Sequence, residues 1–139
     1  MSRNTTRSDI IKVFTEMQET LISEFSTFNA SISCTSDMWQ GRALNHYICV
    51  TGHWLDSKWE VQKRLLGFRR MPYPHDASSI YNAITEVFDL YNIREKVMSI
   101  TFDNVSAKNA AINLFKTTLK LPFSGKFFHQ RCACHIINL

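Results

Sequence analysis

Two carboxylates in this sequence sit where they could do chemistry together. Asp37 closes a segment, Ser31 to Asp37, that alternates around Ile32 and Cys34 and is rich in small and β-branched residues. Asp103 closes a second segment, Val97 to Phe102, that reads as a short buried strand. Acids at the carboxyl ends of neighbouring parallel strands lie where open α/β sheets place their ligands. Such a pair can hold two divalent cations about 4 Å apart, which stabilise the attacking and leaving oxygens of an in-line phosphoryl displacement. A plainer reading stands beside this one: aspartate suits turns, and Asp103-Asn104 can cap the helix after it.

Arg131-Cys132-Ala133-Cys134-His135 is a second candidate. Cys132 and His135 have a spacing that can present two soft ligands to zinc, but a structural zinc site needs four and no second pair at ligand spacing is present. His129 is near, and His46 and His53 lie on another segment, so a zinc site stays open, but on spacing alone buried thiols beside an active-site histidine are the expected case. Lys58, Lys63, Arg64, Arg69 and Arg70 form the densest basic stretch, able to meet phosphates but equally at home as solvated charge on an edge strand. Trp39, Trp54 and Trp59 can stack bases, though core packing is the more ordinary use of the residue.

The elements that would position these groups can be read from periodicity. Ile10, Val13, Phe14, Met17, Leu21, Phe25 and Phe28 recur every three or four residues, which predicts an amphipathic helix over residues 8 to 28, capped by Ser8 and packed on the domain that begins after it. From Ala30 the texture turns to strands. His46 to Leu55 is a nearly continuous apolar run, expected of a strand covered on both faces, and Lys58 to Leu66 alternates with Trp59, Val61 and Leu65 on one side. Arg69 to His75, with two prolines, reads as a loop. Ile80, Ala83, Ile84, Val87, Phe88 and Tyr91 make one helical face, with Asp76, Ser78 and Ser79 as candidate caps. A further helix over 106 to 119 would face Ala107, Ala111, Leu114 and Phe115 inward; Gly125 marks a turn, and Lys126 to Cys132 forms a last strand. The order β-β-β-α-β-α-β after a leading helix predicts an α/β fold with a mixed sheet, divided into a helical segment 1–29 and a sheet-bearing unit 30–139.

Composition constrains the setting. With 139 residues, 45% of them hydrophobic and 20% charged, the chain can bury a core and has no compositional sign of disorder. The net charge of +4 suits a polyanionic partner only weakly. Its opening residues lack the apolar stretch of a secretory signal, and no apolar run reaches the length of a membrane span, so the four cysteines (Cys34, Cys49, Cys132, Cys134) are expected as thiols in a reducing compartment.

Five stretches, in order, resemble the hAT transposase superfamily, in particular its plant RICESLEEPER-like branch with an N-terminal BED zinc finger. They are Ser31-Ile-Ser-Cys-Thr-Ser-Asp37-Met-Trp39, Tyr47 to Asp56, Trp59 to Leu66, Ile100-Thr-Phe-Asp103-Asn104 to Asn109, and Phe128-His-Gln-Arg131-Cys132-Ala-Cys-His135 to Leu139. The resemblance implies the front part of an RNase H-like core that stops short of its last helices. It implies that Asp37 and Asp103 are the first two acids of a DDE triad holding Mg²⁺ or Mn²⁺ for DNA strand cleavage and transfer. It also implies that Cys132 and His135, with Arg131 beside them, belong to a Cys-x-x-His motif that handles DNA near the active site. DNA as partner and a nuclear location come from the same source; a homo-oligomer is expected as a possibility, with no membrane and no small-molecule substrate.

The departures are equally specific. In the family a helical insertion comes after this region and the third acid, a glutamate, lies beyond it, whereas no carboxylate is found after Asp103 here. The expectation is therefore a transposase fragment inactive by itself. The alternative is a domesticated, non-catalytic nucleic-acid-binding or protein-interaction module that keeps the RNase H-like fold.

Overall fold

A computed structural model describes residues 2–27, 29–42, 45–103 and 106–138. It opens with helix α1 (Arg3–Thr27), followed by strands β1 (Ile32–Gln40), β2 (His46–Leu55) and β3 (Val61–Met71). Helix α2 (Ala77–Leu90), strand β4 (Val97–Phe102) and helix α3 (Ser106–Thr118) come next, then a single 3₁₀ turn (Pro122–Gly125), strand β5 (His129–Arg131) and the short helix α4 (Ala133–Ile137). The sheet runs β3-β2-β1-β4-β5. β1, β2 and β3 form the antiparallel meander expected from the tight turns, and β4 returns parallel to β1 with β5 parallel beyond it. This is the mixed α/β sheet of an RNase H-like fold.

One face of the sheet carries the core. Cys34, Ile48, Val50, Trp54, Leu66, Ile100 and Phe102 are buried there beneath the apolar sides of α2 (Ile80, Ile84, Val87, Phe88) and α3 (Ala111, Ile112, Phe115). Phe115 ties the layers together, its ring centroid lying 4.9 Å from that of Tyr81, 6.2 Å from Phe88 and 5.7 Å from Phe128. Helix α2 begins where Asp76 accepts the backbone N–H of Ser79 at 2.8 Å, which satisfies one of the orphan donors of the first turn. It lies so close to β3 that a Cβ on Gly67 would stand 2.4 Å from Val87 Cγ2, so only glycine fits this crossing. The opposite face, with Thr35, Asp37, Trp39 and Leu65, is exposed.

Several expectations are corrected. Helix α1 starts at Arg3, so Ser8 and Asp9 lie within it and do not cap it. Its stripe packs only at the far end: Phe25 is buried and Leu21 and Ile22 touch the core, whereas Ile10, Phe14 and Met17 are 61–64% exposed. Phe28, placed on the same stripe, lies outside the described residues. Strand β1 runs three residues past Asp37, because Met38, Trp39 and Gln40 keep pairing with Ile48, Tyr47 and His46. Strand β2 is not covered on both faces; its residues alternate between buried and half-buried.

The largest difference is in β3. Trp59, Val61 and Leu65 are exposed, and Leu66 and Met71 are the residues that reach the core. The ladder pairs Val50 with Gly67 and Thr51 with Leu65, so Leu66 is the extra residue of a bulge and the alternation inverts there. The strand then continues through Arg69 and Arg70 to Met71, residues that the neighbouring prolines mark as a loop in the sequence. The hairpin before it is closed by Asp56, whose Oδ1 accepts the backbone N–H groups of Lys58 (2.8 Å) and Glu60 (3.0 Å). That places Trp59 at φ +64 and 81% exposed, a turn residue and not a core one. Leu114 of α3 is only half-buried, and β5 holds three residues of the seven expected.

Candidate active site

Register brings the two acids together. Parallel pairing joins Ser33 to Ser99, Cys34 to Ile100 and Thr35 to Thr101, so two further residues along each chain place Asp37 and Asp103 side by side at the carboxyl end of β4. Side chains alternate across a strand, which puts Thr35 and Asp37 on the exposed face with Thr101 beside them. Ser33 and Ser99 extend the same row, their hydroxyls 3.0 Å apart. Both acids line a cleft of about 460 Å³ whose other walls include Thr35, Cys49, Thr101, Cys132, Cys134, His135 and Asn138.

The two carboxylates are held differently. Asp37 is exposed and its Oδ1 accepts the backbone N–H of Met38 at 2.8 Å. Asp103 is about a quarter exposed and forms an ion pair with Lys108 of α3, whose side chain is 1% exposed. The Lys108 ammonium also lies 5.9 Å from the centre of the Phe102 ring. The reading of Asp103-Asn104 as a helix cap falls on Asn104, outside the described residues.

Cys132, Cys134 and His135 reach the cleft because β5 is stitched to β4. The Cys132 backbone N–H donates to the Phe102 carbonyl at 2.8 Å, and the Ile100 N–H donates to the Phe128 carbonyl at 2.6 Å. Helix α4 begins at once after Cys132 and turns Cys134 and His135 back over the two acids. Arg131, the last residue of β5, is exposed next to this motif and is not part of the cleft wall. Among the described residues no three His, Cys, Asp or Glu side chains are grouped to hold a metal, so a four-ligand zinc site at Cys132, Cys134 and His135 is not formed there. His46, considered with it, lies against His75 with tilted rings whose centroids are 3.9 Å apart, and His53 faces Thr35 at 3.1 Å. All four cysteines are free, but Cys132 is half-buried and Cys134 exposed, not the buried thiols expected, because the short α4 leaves them at the cleft surface; burial pushes the Cys34 thiol up to about 12, which keeps it protonated and inert.

Two further features lie on the meander strands beside the cleft. Trp39, Tyr47 and Phe68 form an aromatic cluster on the exposed face, with centroids 5.5 Å apart for Trp39–Phe68 and 5.3 Å for Tyr47–Phe68. Asp37 pairs with Cys49 and Cys49 with Phe68, so this cluster adjoins the acids. Trp39, which its type alone suits to core or stacking, is 39% exposed and is not sealed in the core. Tyr47 and Lys108 fall within stretches of the family resemblance, but it gives no site role to them or to Phe68. Lys58, Lys63, Arg64, Arg69 and Arg70 are all exposed, on β3 and the turn before it.

His129 gives the site's surroundings a pH dependence. Its pKa is lowered from 6.5, first by burial and then by the charges of Arg131 and Lys116; that of His53 is lowered by burial and Lys63. A histidine depressed in the fold keeps its stabilisation above its unfolded value and loses it as pH falls below 6.5. The melting temperature is therefore expected to drop between pH 7.5 and 5.5, and less so in a His129→Gln variant. A melting temperature flat over that interval would contradict the assignment.

Comparison with known proteins agrees with the geometry. Residues 35–127 match the family model of the ZBED1 RNase-like domain. The chain is 36% identical over 143 aligned residues to the putative AC transposase of Zea mays, covering 99% of this chain and 18% of that protein. It is 27% identical to zinc finger BED domain-containing protein RICESLEEPER 2 of Oryza sativa subsp. japonica, covering 96% of this chain and 19% of the relative. It is 26% identical to the putative transcriptional regulator tpeD of Talaromyces stipitatus, covering 97% and 16%. The chain thus spans about a fifth of the length of these relatives. An RNase H-like sheet that brings Asp37 and Asp103 into one cleft, with the family match across it, identifies this chain as a member of the ZBED1 RNase-like domain family, among relatives that include a putative AC transposase and RICESLEEPER proteins.

Proposed function

We propose that this chain supplies the front half of a DNA strand-transfer site, with Asp37 and Asp103 as two of its three acids. The observation that carries the reading is the juxtaposition of two carboxylates on adjacent parallel strands at one cleft. Two hard oxygen donors suit Mg²⁺ or Mn²⁺, which are commonly held by one or two carboxylates with water and phosphate oxygens completing the shell. Bound there, the cation would lower the charge on a phosphate and polarise the attacking oxygen.

The chain's own residues do the rest. Asp37, fixed by the Met38 N–H, presents its carboxylate from a central strand whose position is set by pairing on both sides. Thr35 and Thr101 line the floor, and Cys132 and His135 approach from α4, where they can contact a strand lying in the cleft. Trp39, Tyr47 and Phe68 offer faces on which unpaired bases can stack, and the exposed cations of β3, with Arg131 across the sheet, can meet phosphates.

Within residues 1–139 the acids of this reading are Asp37 and Asp103, since residues 104–139 contain no Asp or Glu. In this reading the partner is DNA, the setting is the nucleus, residues 1–29 lead into the core that begins at residue 30, and the chain can self-associate. A second reading, a transposase-derived regulator that binds without cutting, is favoured by the similarity to a putative transcriptional regulator.

The test is Mn²⁺ binding followed by paramagnetic broadening of backbone amides. Broadening should centre on Asp37, Thr101 and Asp103, and Asp37→Asn should weaken it about tenfold, the loss of one direct carboxylate ligand. Diffuse broadening unchanged in Asp37→Asn would remove the acids from a metal site and leave the non-catalytic reading.

A further inference from the structure

Lys108 is a buried charge to which the strand-transfer reading gives no role. Its side chain is 1% exposed, beneath the sheet end, and its ammonium is paired to Asp103 Oδ1 while Asp103 itself is about a quarter exposed. A lysine so buried costs desolvation that must be offset by its partner, and the pair is asymmetric: the cation is enclosed and the anion faces the cleft.

We propose that Lys108 is a built-in cation that competes with a divalent metal for Asp103, setting the metal affinity of the cleft. The inference rests on the metal reading of Asp37 and Asp103. With Lys108 in contact, one Asp103 oxygen is already neutralised, and an arriving dication meets a fixed positive charge within a few ångströms. Inside a partly buried cleft that repulsion is only weakly screened. Metal therefore binds when a stronger demand, such as a phosphate entering the cleft, adds negative charge that outweighs Lys108. The site would thus load with its nucleic-acid substrate and remain poorly occupied without it.

The experiment titrates Mn²⁺ into the 139-residue chain, its Lys108→Met and Lys108→Gln variants, and each combined with Asp37→Asn. Affinity is read from the free-Mn²⁺ paramagnetic signal, and the shift in melting temperature at saturating Mn²⁺ is recorded in parallel. Removing the charge should tighten binding by roughly tenfold or more in both variants, since a nearby unit charge is worth at least that factor at a partly buried site. The melting-temperature rise on adding Mn²⁺ should grow in step. Lys108→Gln keeps a hydrogen-bond donor for Asp103, so it guards against a Met variant that packs badly. Equal or weaker binding in both variants, still lost with Asp37→Asn, overturns the Lys108 proposal and leaves the metal site standing. Binding absent from every variant, or indifferent to Asp37→Asn, overturns both.

Discussion

Asp103→Asn is expected to destabilise the fold far more than Asp37→Asn, although both remove one carboxylate from the same cleft. The reason lies beneath Asp103. Its substitution strands the Lys108 ammonium, 1% exposed, with no anion, and breaking a buried pair from one side costs about 3 kcal/mol. Asp37 is exposed and accepts a backbone N–H next to it, which an asparagine oxygen can also do. Its loss should cost under about 1 kcal/mol, as for an ordinary surface position. Urea denaturation of both variants reads the difference directly. Adding Lys108→Met to Asp103→Asn should recover most of the loss, because the stranded charge is gone. Equal midpoints for the two single variants would mean that the Lys108 pair does not support the fold. The consequence for function is practical: Asp37→Asn reports on chemistry, whereas Asp103→Asn reports on chemistry and folding together.

The sheet was legible where apolar runs are bounded by turn residues. β2 and β4 occupy the residues that their composition marks, because His46–Leu55 and Val97–Phe102 have nothing inside them to break the pattern. The meeting of Asp37 with Asp103 was legible as well, since a strand returning after a three-strand meander and a helix lands beside the first. The inward face of β3 was not. One bulge residue, Leu66, inverts the alternation, and a bulge depends on pairing with Thr51 and Val50, contacts a single strand's sequence does not carry. Lys108 was illegible for a different reason. Lysine on a helix is by default solvated, and only the fold shows that this one points at a carboxylate.

The leading helix shows how far periodicity misleads about packing, and Phe25→Ala tests what holds it. Its stripe from Ile10 to Phe25 is uniform in sequence, yet only the last turns meet the sheet. Phe25 is 1% exposed and makes edge contacts with Trp54 (4.9 Å) and Tyr91 (6.0 Å). Two polar contacts flank it: Trp54 Nε1 donates to Glu24 at 3.1 Å, and the Lys96 ammonium donates to the Phe25 carbonyl. Truncating the ring leaves a cavity between α1, β2 and the end of α2, with an expected loss of about 3–5 kcal/mol. Phe14 is 61% exposed and only borders a cavity beside β3, so Phe14→Ala should change stability by less than about 1 kcal/mol. Hydrogen exchange should show the same division, with amides near Phe25 protected in the native chain and released by Phe25→Ala, and amides around Ile10 to Phe14 exchanging fast in both. If Phe14→Ala and Phe25→Ala cost the same, α1 is not anchored through its last turns, and the face left exposed from Ile10 to Met17 packs on this same sheet.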